Sequence, residues 1–298
     1  MTESRLRVGV TGASGFIGRH AIARFAERGH AVRAFQRSNA APAAAGVTVT
    51  PFDMRGPIEP DAFRGLDVLI HTALVEYGPA ARDADRVNRE CAERLIALAR
   101  ANAMRLVFLS TLSAHEFARS HYGRSKLEIE RLFDPARDTV LRLGLVLGAG
   151  GLFGSMVEMI RGARVIPLPD AGRQPIQTLW MGDLLDTLER VVERRLAGRF
   201  EVATAEVYTM RELYRAVIAG LGVKRTLVPV PLALVGAGVA LLEALRVPFG
   251  INSENVLGLK QLRAFDNAGD LTALELAPIS LEASVRELLG ERAGASGT

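Results

Sequence analysis

"TGASGFIG", residues 11 to 18, decides the fold of this 298-residue chain. An apolar, β-branched stretch, "RLRVGVTG", leads into it, and "FIGRHAIARFAERG" follows with helical spacing and a glycine stop at Gly29. Gly12, Gly15 and Gly18 therefore stand between a predicted strand and a predicted helix. Because the amides at such a helix N-terminus bind phosphate, the motif favours a dinucleotide site over a merely structural turn.

Strands and helices alternate through the first half of the chain. Further strands are predicted at 31–37, 47–53, 66–73, 105–111 and 138–148, and helices at 83–103 and 121–133. Apolar strands joined by helices indicate an α/β fold with a doubly wound parallel sheet. From about residue 149 the pattern loosens. We predict a dinucleotide-binding domain over 1–148, to which 176–198 return, and a smaller, mixed substrate-binding lobe over 149–298 that covers the carboxyl edge of the sheet.

Composition and charge exclude several other classes of protein. The apolar and charged fractions, 49% and 23%, suit an ordinary globular enzyme. The net charge is only +4 and the arginines are dispersed, which argues against nucleic-acid binding. Cys91 is the single cysteine, so no internal disulfide can form, and we expect it to fill core space. The five histidines show no metal-ligand spacing, so no metal site is expected.

The chain gives no sequence signal for export or for a membrane span. Residues 1–7 carry charges and pass directly into a strand, so we expect a cytoplasmic protein. The most apolar stretch, 227–245, is interrupted by Pro229 and Pro231 and ends near Glu243. A spanning helix needs about 20 apolar residues, so a buried or partner-facing helix is favoured here.

The end of the second predicted strand bears on the choice of dinucleotide. NAD sites usually carry a carboxylate there for the ribose 2′-hydroxyl, whereas this strand ends in "FQRS". The Arg37 guanidinium suits a 2′-phosphate. The sequence therefore favours NADP, with NAD as the alternative. The competing interpretation of Arg37 is an ordinary surface arginine that binds no ligand.

Tyr122 and Lys126 stand four residues apart in "HYGRSKLEIE", residues 121 to 130. On a helix they share one face, so a phenol and an ammonium can address one ligand. Tyrosine has an ordinary pKa of about 10, and a nearby cation lowers that pKa toward neutral pH. Lys126 is also one of three lysines in an arginine-rich chain. The pair favours proton transfer over chance placement on a surface helix.

Together these stretches resemble the short-chain dehydrogenase/reductase superfamily, in its extended or atypical branch related to nucleoside-diphosphate-sugar epimerases and dehydratases. The resemblance covers residues 5 to 200 well and implies a Rossmann-type sheet. It is carried by "TGASGFIG", by Asp53 in "FDMR", by "HTA" at 71–73, by Asn88 in "RVN", by "LSTLS" at 109–113, by Tyr122 and Lys126, by "LRLGLVLG" at 141–148 and by "IQTLWMGDLLDTL" at 176–188.

The resemblance also implies roles for individual residues. Tyr122 would be the general acid/base, and Lys126 would bind the nicotinamide ribose and lower the Tyr122 pKa. The expected cofactor contacts are Gly12, Ser14, Gly15, Phe16, Ile17, Gly18, Arg37, Asp53, Met54, Thr72, Ala73, Ser110, Tyr122, Lys126, Leu143 and Leu145. Within that set, Asp53 and Met54 would hold the adenine. Leu143 and Leu145 would lie against the nicotinamide. A homodimer is compatible with the resemblance.

One departure from the family pattern leaves the reaction open. Leu112 stands where members commonly place a catalytic Ser or Thr, so either Thr111 or Ser113 would have to supply that hydroxyl. The first hypothesis is an NADP-dependent oxidoreductase or epimerase that acts on a carbinol or carbonyl carbon, with a nucleotide sugar as the first candidate substrate. Arg161, Arg164 and Arg173 could then grip its pyrophosphate. The alternatives are an NADP(H)-binding sensor or assembly protein without turnover and a simple carbonyl reductase with an apolar substrate.

Overall fold

The glycine turn lies between a strand, β1 (Arg7–Thr11), and a helix, α1 (Phe16–Glu27). The computed structural model of the protein describes residues 5–37, 45–77, 83–231, 233–234 and 262–295. The remaining strands are β2 (Ala31–Gln36), β3 (Val47–Pro51), β4 (Val68–His71), β5 (Arg105–Thr111), β6 (Thr139–Leu143), β7 (Leu145–Leu147), β8 (Val165–Pro169), β9 (Pro175–Ile176), β10 (Thr178–Trp180), β11 (Gly198–Val202), β12 (Tyr208–Thr209) and β13 (Thr226–Val230). The remaining helices are α2 (Ala84–Ala101), α3 (His121–Glu130), α4 (Gly151–Gly162), α5 (Met181–Glu193), α6 (Met210–Gly220), α7 (Ala268–Ala273) and α8 (Leu281–Ala295), with 3-10 turns at Pro60–Phe63 and Asp170–Gly172.

Seven strands form one sheet in the order β11-β6-β5-β4-β1-β2-β3. The pairings β1–β2, β1–β4, β2–β3 and β4–β5 are parallel. The strand order runs in opposite directions on the two sides of the β1–β4 pair, which makes the carboxyl ends of these two strands the switch point where ligands of such sheets bind. The predicted doubly wound α/β sheet is confirmed.

The chain divides into two units. The first comprises Met1–Glu116, Arg124–Arg142 and Leu185–Phe200, and the second comprises Phe117–Gly123, Leu143–Leu184 and Glu201–Thr298. The predicted domain boundary at residue 149 and the predicted return of 176–198 to the first domain stay predictions. That the second unit binds the substrate stays a prediction.

Each unit has its own apolar core. In the first, Phe35 and Phe63 stack at 4.4 Å between ring centroids, and α2 packs its i, i+4 series Val87, Cys91 and Leu95 into the same cluster. Cys91 is fully buried there, which confirms its expected place as a core residue, and burial raises the pKa of its thiol to about 12. The core of the second unit joins α4, α6 and α8 around residues such as Phe153, Leu213 and Val285.

The predicted sixth strand, 138–148, is in fact two strands that break at Gly144. The Gly144 amide donates to the Val202 carbonyl, whereas the next amide, of Leu145, donates to the Gln177 carbonyl. Strand β6 accordingly belongs to the large sheet and β7 pairs with β10. The stretch 138–148 reads as one strand because leucine and valine dominate it on both sides of Gly144, and its sequence does not show which distant backbone each half will pair with.

The stretch 227–245 lies mainly outside the described residues. Its first residues form part of β13, which pairs in parallel with β8, so the helical interpretation is wrong there. Residues 232 and 235–245 are outside the description. In the part of the chain that the structure covers, no helix has the length and apolarity that crossing a bilayer requires.

Candidate active site

The turn between β1 and α1 is shaped to receive an anion. Gly12 has φ +68°, and a Cβ there would lie 2.7 Å from the backbone nitrogen of Ala73. A Cβ on Gly18 would lie 2.2 Å from the Gly12 carbonyl oxygen. Among the described residues no side chain caps α1, which has no acidic residue in its first turn. Since the first amides of a helix lack intrahelical acceptors, the glycine pattern fits a pyrophosphate at this point.

The other residues predicted in this turn are accessible to a ligand. Ser14 and Gly15 are exposed, while Phe16 and Ile17, in the first turn of α1, are half-buried. The Gly15 amide donates to the Gly12 carbonyl at 2.8 Å, which closes the turn. The structure therefore brings these residues together at the carboxyl end of β1, and their contact with a cofactor stays a prediction.

Polar side chains beneath the turn tie β1 to β4. Thr11 Oγ1 lies 2.7 Å from His71 Nδ1, and the Thr72 hydroxyl donates to the Thr11 carbonyl at 2.7 Å. The Ala73 amide lies 3.4 Å from Thr11 Oγ1. Burial, with a smaller contribution from the charge of Lys126, lowers the His71 pKa to about 3. A neutral imidazole therefore holds the end of β1 against the Thr72 and Ala73 segment at neutral pH.

The residues predicted for the adenosine end follow β2 and β3. Arg37 comes directly after β2 and is exposed. Asp53 is also exposed, and its Oδ1 accepts the Arg55 amide at 3.0 Å, which closes a local turn. Met54 is 7% exposed in the first core, and its carbonyl accepts a hydrogen bond from Arg94 at 2.7 Å. Asp53 is therefore accessible to a ligand, whereas Met54 is buried.

A cavity of about 550 Å³ lies along α2 in the first unit. It is lined by Met54, Arg55, Asp83, Arg86, Val87, Glu90, Glu93, Arg94 and Ala97. Its charges are paired, since Arg55 contacts Asp83 and Arg86 contacts Glu90, each at 2.8 Å. Met54 is the one predicted cofactor residue in its lining, so the cavity and the glycine turn are largely separate features.

Lys126 is a buried cation. Its side chain is 6% exposed, its Nζ donates to the Leu109 carbonyl at 2.8 Å, and the ammonium lies 4.4 Å from the centroid of the Phe108 ring. Burial lowers the Lys126 pKa to about 8, against an opposing effect of Glu130. The ammonium thus lies at the carboxyl end of β5, and its pKa is just above neutral pH.

The loop after β5 carries the candidate hydroxyls. Ser110 is 5% exposed and its hydroxyl donates to Glu130, so the hydroxyl proton already has an acceptor inside the protein. Thr111 Oγ1 accepts the Ser113 amide at 3.2 Å, which fixes the Thr111 side chain. Thr111, Leu112 and Ser113 are all half-buried.

Tyr122 lies in the first turn of α3, four residues before Lys126 on the same continuous helix. It is half-buried and belongs to the second unit, as do Leu143 and Leu145. Leu143 ends β6 and is 6% exposed, and Leu145 begins β7 and is half-buried. The predicted helix that carries the Tyr122 and Lys126 spacing is present, and the role of each residue stays a prediction.

Of the three arginines suggested for pyrophosphate binding, Arg164 and Arg173 are exposed and Arg161 pairs with Glu158 at 2.6 Å.

Sequence reasoning missed the buried pair of Glu130 and Arg142. Arg142 Nη2 lies 2.7 Å from Glu130 Oε2, and the two side chains are 8% and 4% exposed. The available signal was the spacing of Glu130, four residues after Lys126 on one helical face, together with an arginine inside an otherwise apolar strand.

A parallel sheet with a glycine turn at its switch point, and a Tyr/Lys helix after β5, define a nicotinamide-dinucleotide-binding α/β enzyme. The chain belongs to the NAD dependent epimerase/dehydratase family, whose model matches residues 8–202. This confirms the resemblance to the short-chain dehydrogenase/reductase superfamily. The family supports an NAD(P)-dependent enzyme over the alternative of a sensor without turnover.

Two curated relatives and a solved structure give this assignment detail. The chain is 30% identical over 264 residues to a dTDP-6-deoxy-L-talose 4-dehydrogenase (NAD(P)(+)) of Kitasatospora kifunensis, covering 76% of this chain and 82% of the relative. It is 27% identical over 244 residues to a ceramide reductase of Caulobacter vibrioides, covering 77% and 75%. MoeE5 in complex with UDP-glucose and NAD superposes with a TM-score of 0.75 at 17% identity, covering 98% of this chain and 100% of that one. At that identity the structural similarity shows the fold alone.

Proposed function

We propose that the protein is an NADP-dependent oxidoreductase or epimerase that acts on a carbinol or carbonyl carbon of a nucleotide sugar, with Tyr122 as the general acid/base. The observation that carries the proposal is the buried, cationic Lys126 on the same helix as Tyr122, one turn further along. The nucleotide-sugar class is supported by the dTDP-6-deoxy-L-talose 4-dehydrogenase among the relatives.

The residues of the chain divide the chemistry among them. NADP(H), when bound, supplies or accepts the hydride at the reacting carbon. Tyr122 takes the proton from, or returns it to, the oxygen on that carbon. The Lys126 ammonium favours the phenolate form of Tyr122, because a nearby cation stabilises an anion. Of its three N–H groups, one is already held by the Leu109 carbonyl, which orients the others.

Two finer assignments complete the proposal. Arg37, exposed directly after β2, would bind the 2′-phosphate and select NADP over NAD. Thr111 would supply the hydroxyl that Leu112 does not, since its oxygen is fixed by the Ser113 amide at the end of β5 and its proton can still be donated. Ser113 remains the alternative donor.

Deuterium transfer tests the assignment. The protein is incubated with nicotinamide-deuterated NADPH and a panel of keto UDP- and dTDP-sugars, or with NADP⁺ and the corresponding hydroxy sugars deuterated at the carbinol carbon, and mass spectrometry measures the label in the sugar or in the NADPH that forms. We expect Tyr122→Phe to lower the rate of transfer at least ~100-fold, as loss of a general acid/base does, with an unchanged dissociation constant for NADPH. Tyr214→Phe is the matched control, because this tyrosine is buried in the core of the second unit. Normal turnover by Tyr122→Phe would refute the role of Tyr122 as general acid/base. A comparison of the transfer rates of Thr111→Ala and Ser113→Ala would identify which residue supplies the hydroxyl that Leu112 does not.

A reductase for an apolar ketone is the second candidate. It is supported by the ceramide reductase among the relatives and by large apolar side chains exposed in the second unit, with Phe117 at 71% and Leu152 at 62%. A long-chain ketone in the same deuterium panel separates the two candidates. Label in the alcohol formed from the ketone, and none in any sugar, would favour this second function.

A further inference from the structure

Glu130 sits at the centre of a buried polar cluster in the first unit. Its carboxylate accepts three contacts from Arg142, at 3.1, 3.0 and 2.7 Å, and accepts the Ser110 hydroxyl. Glu130 comes from α3, Ser110 from β5 and Arg142 from β6. One carboxylate therefore joins a helix to two neighbouring strands of the sheet.

Stability alone is a poor explanation for this cluster. Taking two charges out of water costs as much as their attraction returns, so a buried ion pair is often no better than an apolar replacement. The position of Glu130 suggests a different purpose, because it follows Lys126 by four residues and so lies on the same face of α3. Ser110, which donates to Glu130, directly follows Leu109, which accepts from Lys126.

Among the residues that the structure describes, Glu130 is the negative charge that acts on Lys126. From β4, the buried His71 faces it and is neutral near pH 7. From β5, it meets the Phe108 ring and the Leu109 carbonyl, both uncharged. Arg142, on β6, is paired with the Glu130 carboxylate at 2.7 Å.

We propose that Glu130 is a positioning residue for the reaction proposed above: it fixes the end of β5 against α3 and keeps Lys126 protonated. The role of Glu130 in the reaction rests on the proposed function, whereas its effect on Lys126 can be measured without any enzymatic activity. Without the carboxylate, Lys126 would lose the negative charge that favours its protonated form, and burial would then drive the lysine toward its neutral form.

Nuclear magnetic resonance of isotope-labelled lysine measures this directly, because the chain has only three lysines. The Lys126 signal is assigned by its loss in Lys126→Met, and the exposed Lys224 serves as an internal reference. We expect Glu130→Gln to lower the titration midpoint of Lys126 by about one pH unit or more, as removal of a close charge does. The matched control is Glu128→Gln on the same helix, where the side chain is 58% exposed, and it should leave the midpoint unchanged.

A second variant guards against failure to fold. Glu130→Gln/Arg142→Gln removes both charges, so it leaves no unpaired ion, and its Lys126 midpoint should lie between those of the wild type and Glu130→Gln. An unchanged midpoint in Glu130→Gln would overturn the proposal, and so would a double-variant midpoint below that of Glu130→Gln. In the deuterium assay, Glu130→Gln should lose more activity at pH 8 than at pH 6, whereas a merely structural defect would lose the same factor at both. If the wild type transfers no hydride, the proposed function fails while the titration result still decides the role of Glu130.

Discussion

Lys126 and Arg37 are two cations of the first unit, each proposed to contact the same dinucleotide, and they are held in opposite ways. Lys126 is 6% exposed, bonded to the Leu109 carbonyl and packed on the Phe108 ring. Arg37 is exposed at the end of β2. The protein fixes the first cation before any ligand arrives, whereas the second is in contact with water.

This difference separates two uses of positive charge. A buried ammonium acts in a region of low dielectric constant, where each interaction is strong and its own protonation is costly. An exposed guanidinium contributes less to a pairwise interaction, but it presents a planar set of donors that matches a phosphate. Lys126 should therefore govern the reaction and its pH dependence, and Arg37 should govern the choice of ligand.

Removal of the buried cation should have the largest effect. We expect Lys126→Met to lower kcat about 1000-fold, or about 4 kcal/mol, because Tyr122 loses the charge that favours its phenolate. The measurement is steady-state kinetics on the substrate that the deuterium panel identifies. Lys224→Met, at an exposed lysine of the second unit, is the control and should be unaffected. A loss of less than threefold would mean that the buried lysine has no role in the chemistry.

The same lysine should make stability depend on pH. Its pKa is lowered from 10.5 to about 8 in the folded protein, so between these values the unfolded chain binds more protons. The cost of holding the ammonium is therefore fully present below pH 8 and is relieved as the pH rises toward 10.5. Between pH 7 and pH 10, the free energy of unfolding of the wild type should rise by about 2 kcal/mol relative to that of Lys126→Met. Urea denaturation of both proteins at each pH gives this difference, and parallel curves would contradict the prediction.

The contrast between local and distant signals explains how much the sequence could predict. The turn at residues 11–18 and the Tyr122 and Lys126 spacing are local patterns, and both lie on the predicted elements. The break at Gly144 depends on which distant backbone each amide meets, and the apolar stretch 138–148 holds no trace of that choice.

Side-chain partners are harder still to predict, because they are chosen by the topology of the sheet. The Ser110 hydroxyl donates to a carboxylate 20 residues away that the fold brings beside β5, while its predicted contact with the cofactor stays a prediction. The pairing of Glu130 with Arg142 likewise depends on the fold, which packs α3 and β6 against that strand.

Arg37 gives the smallest expected effect and the sharpest test of the comparison. We expect Arg37→Ala to weaken NADPH binding about tenfold, or about 1.4 kcal/mol, because one exposed charge-assisted contact to the 2′-phosphate is lost. NADH binding should stay within a factor of two, since its ribose carries no phosphate there. Arg64→Ala, at another exposed arginine of the first unit, should change neither affinity. Calorimetric titration of each variant with both nucleotides gives the four constants, and the NADPH effect should shrink as salt is added. If NADH already binds the wild type more tightly than NADPH, or if Arg37→Ala weakens both equally, the exposed cation does not bind the 2′-phosphate, and residues other than Arg37 select the dinucleotide.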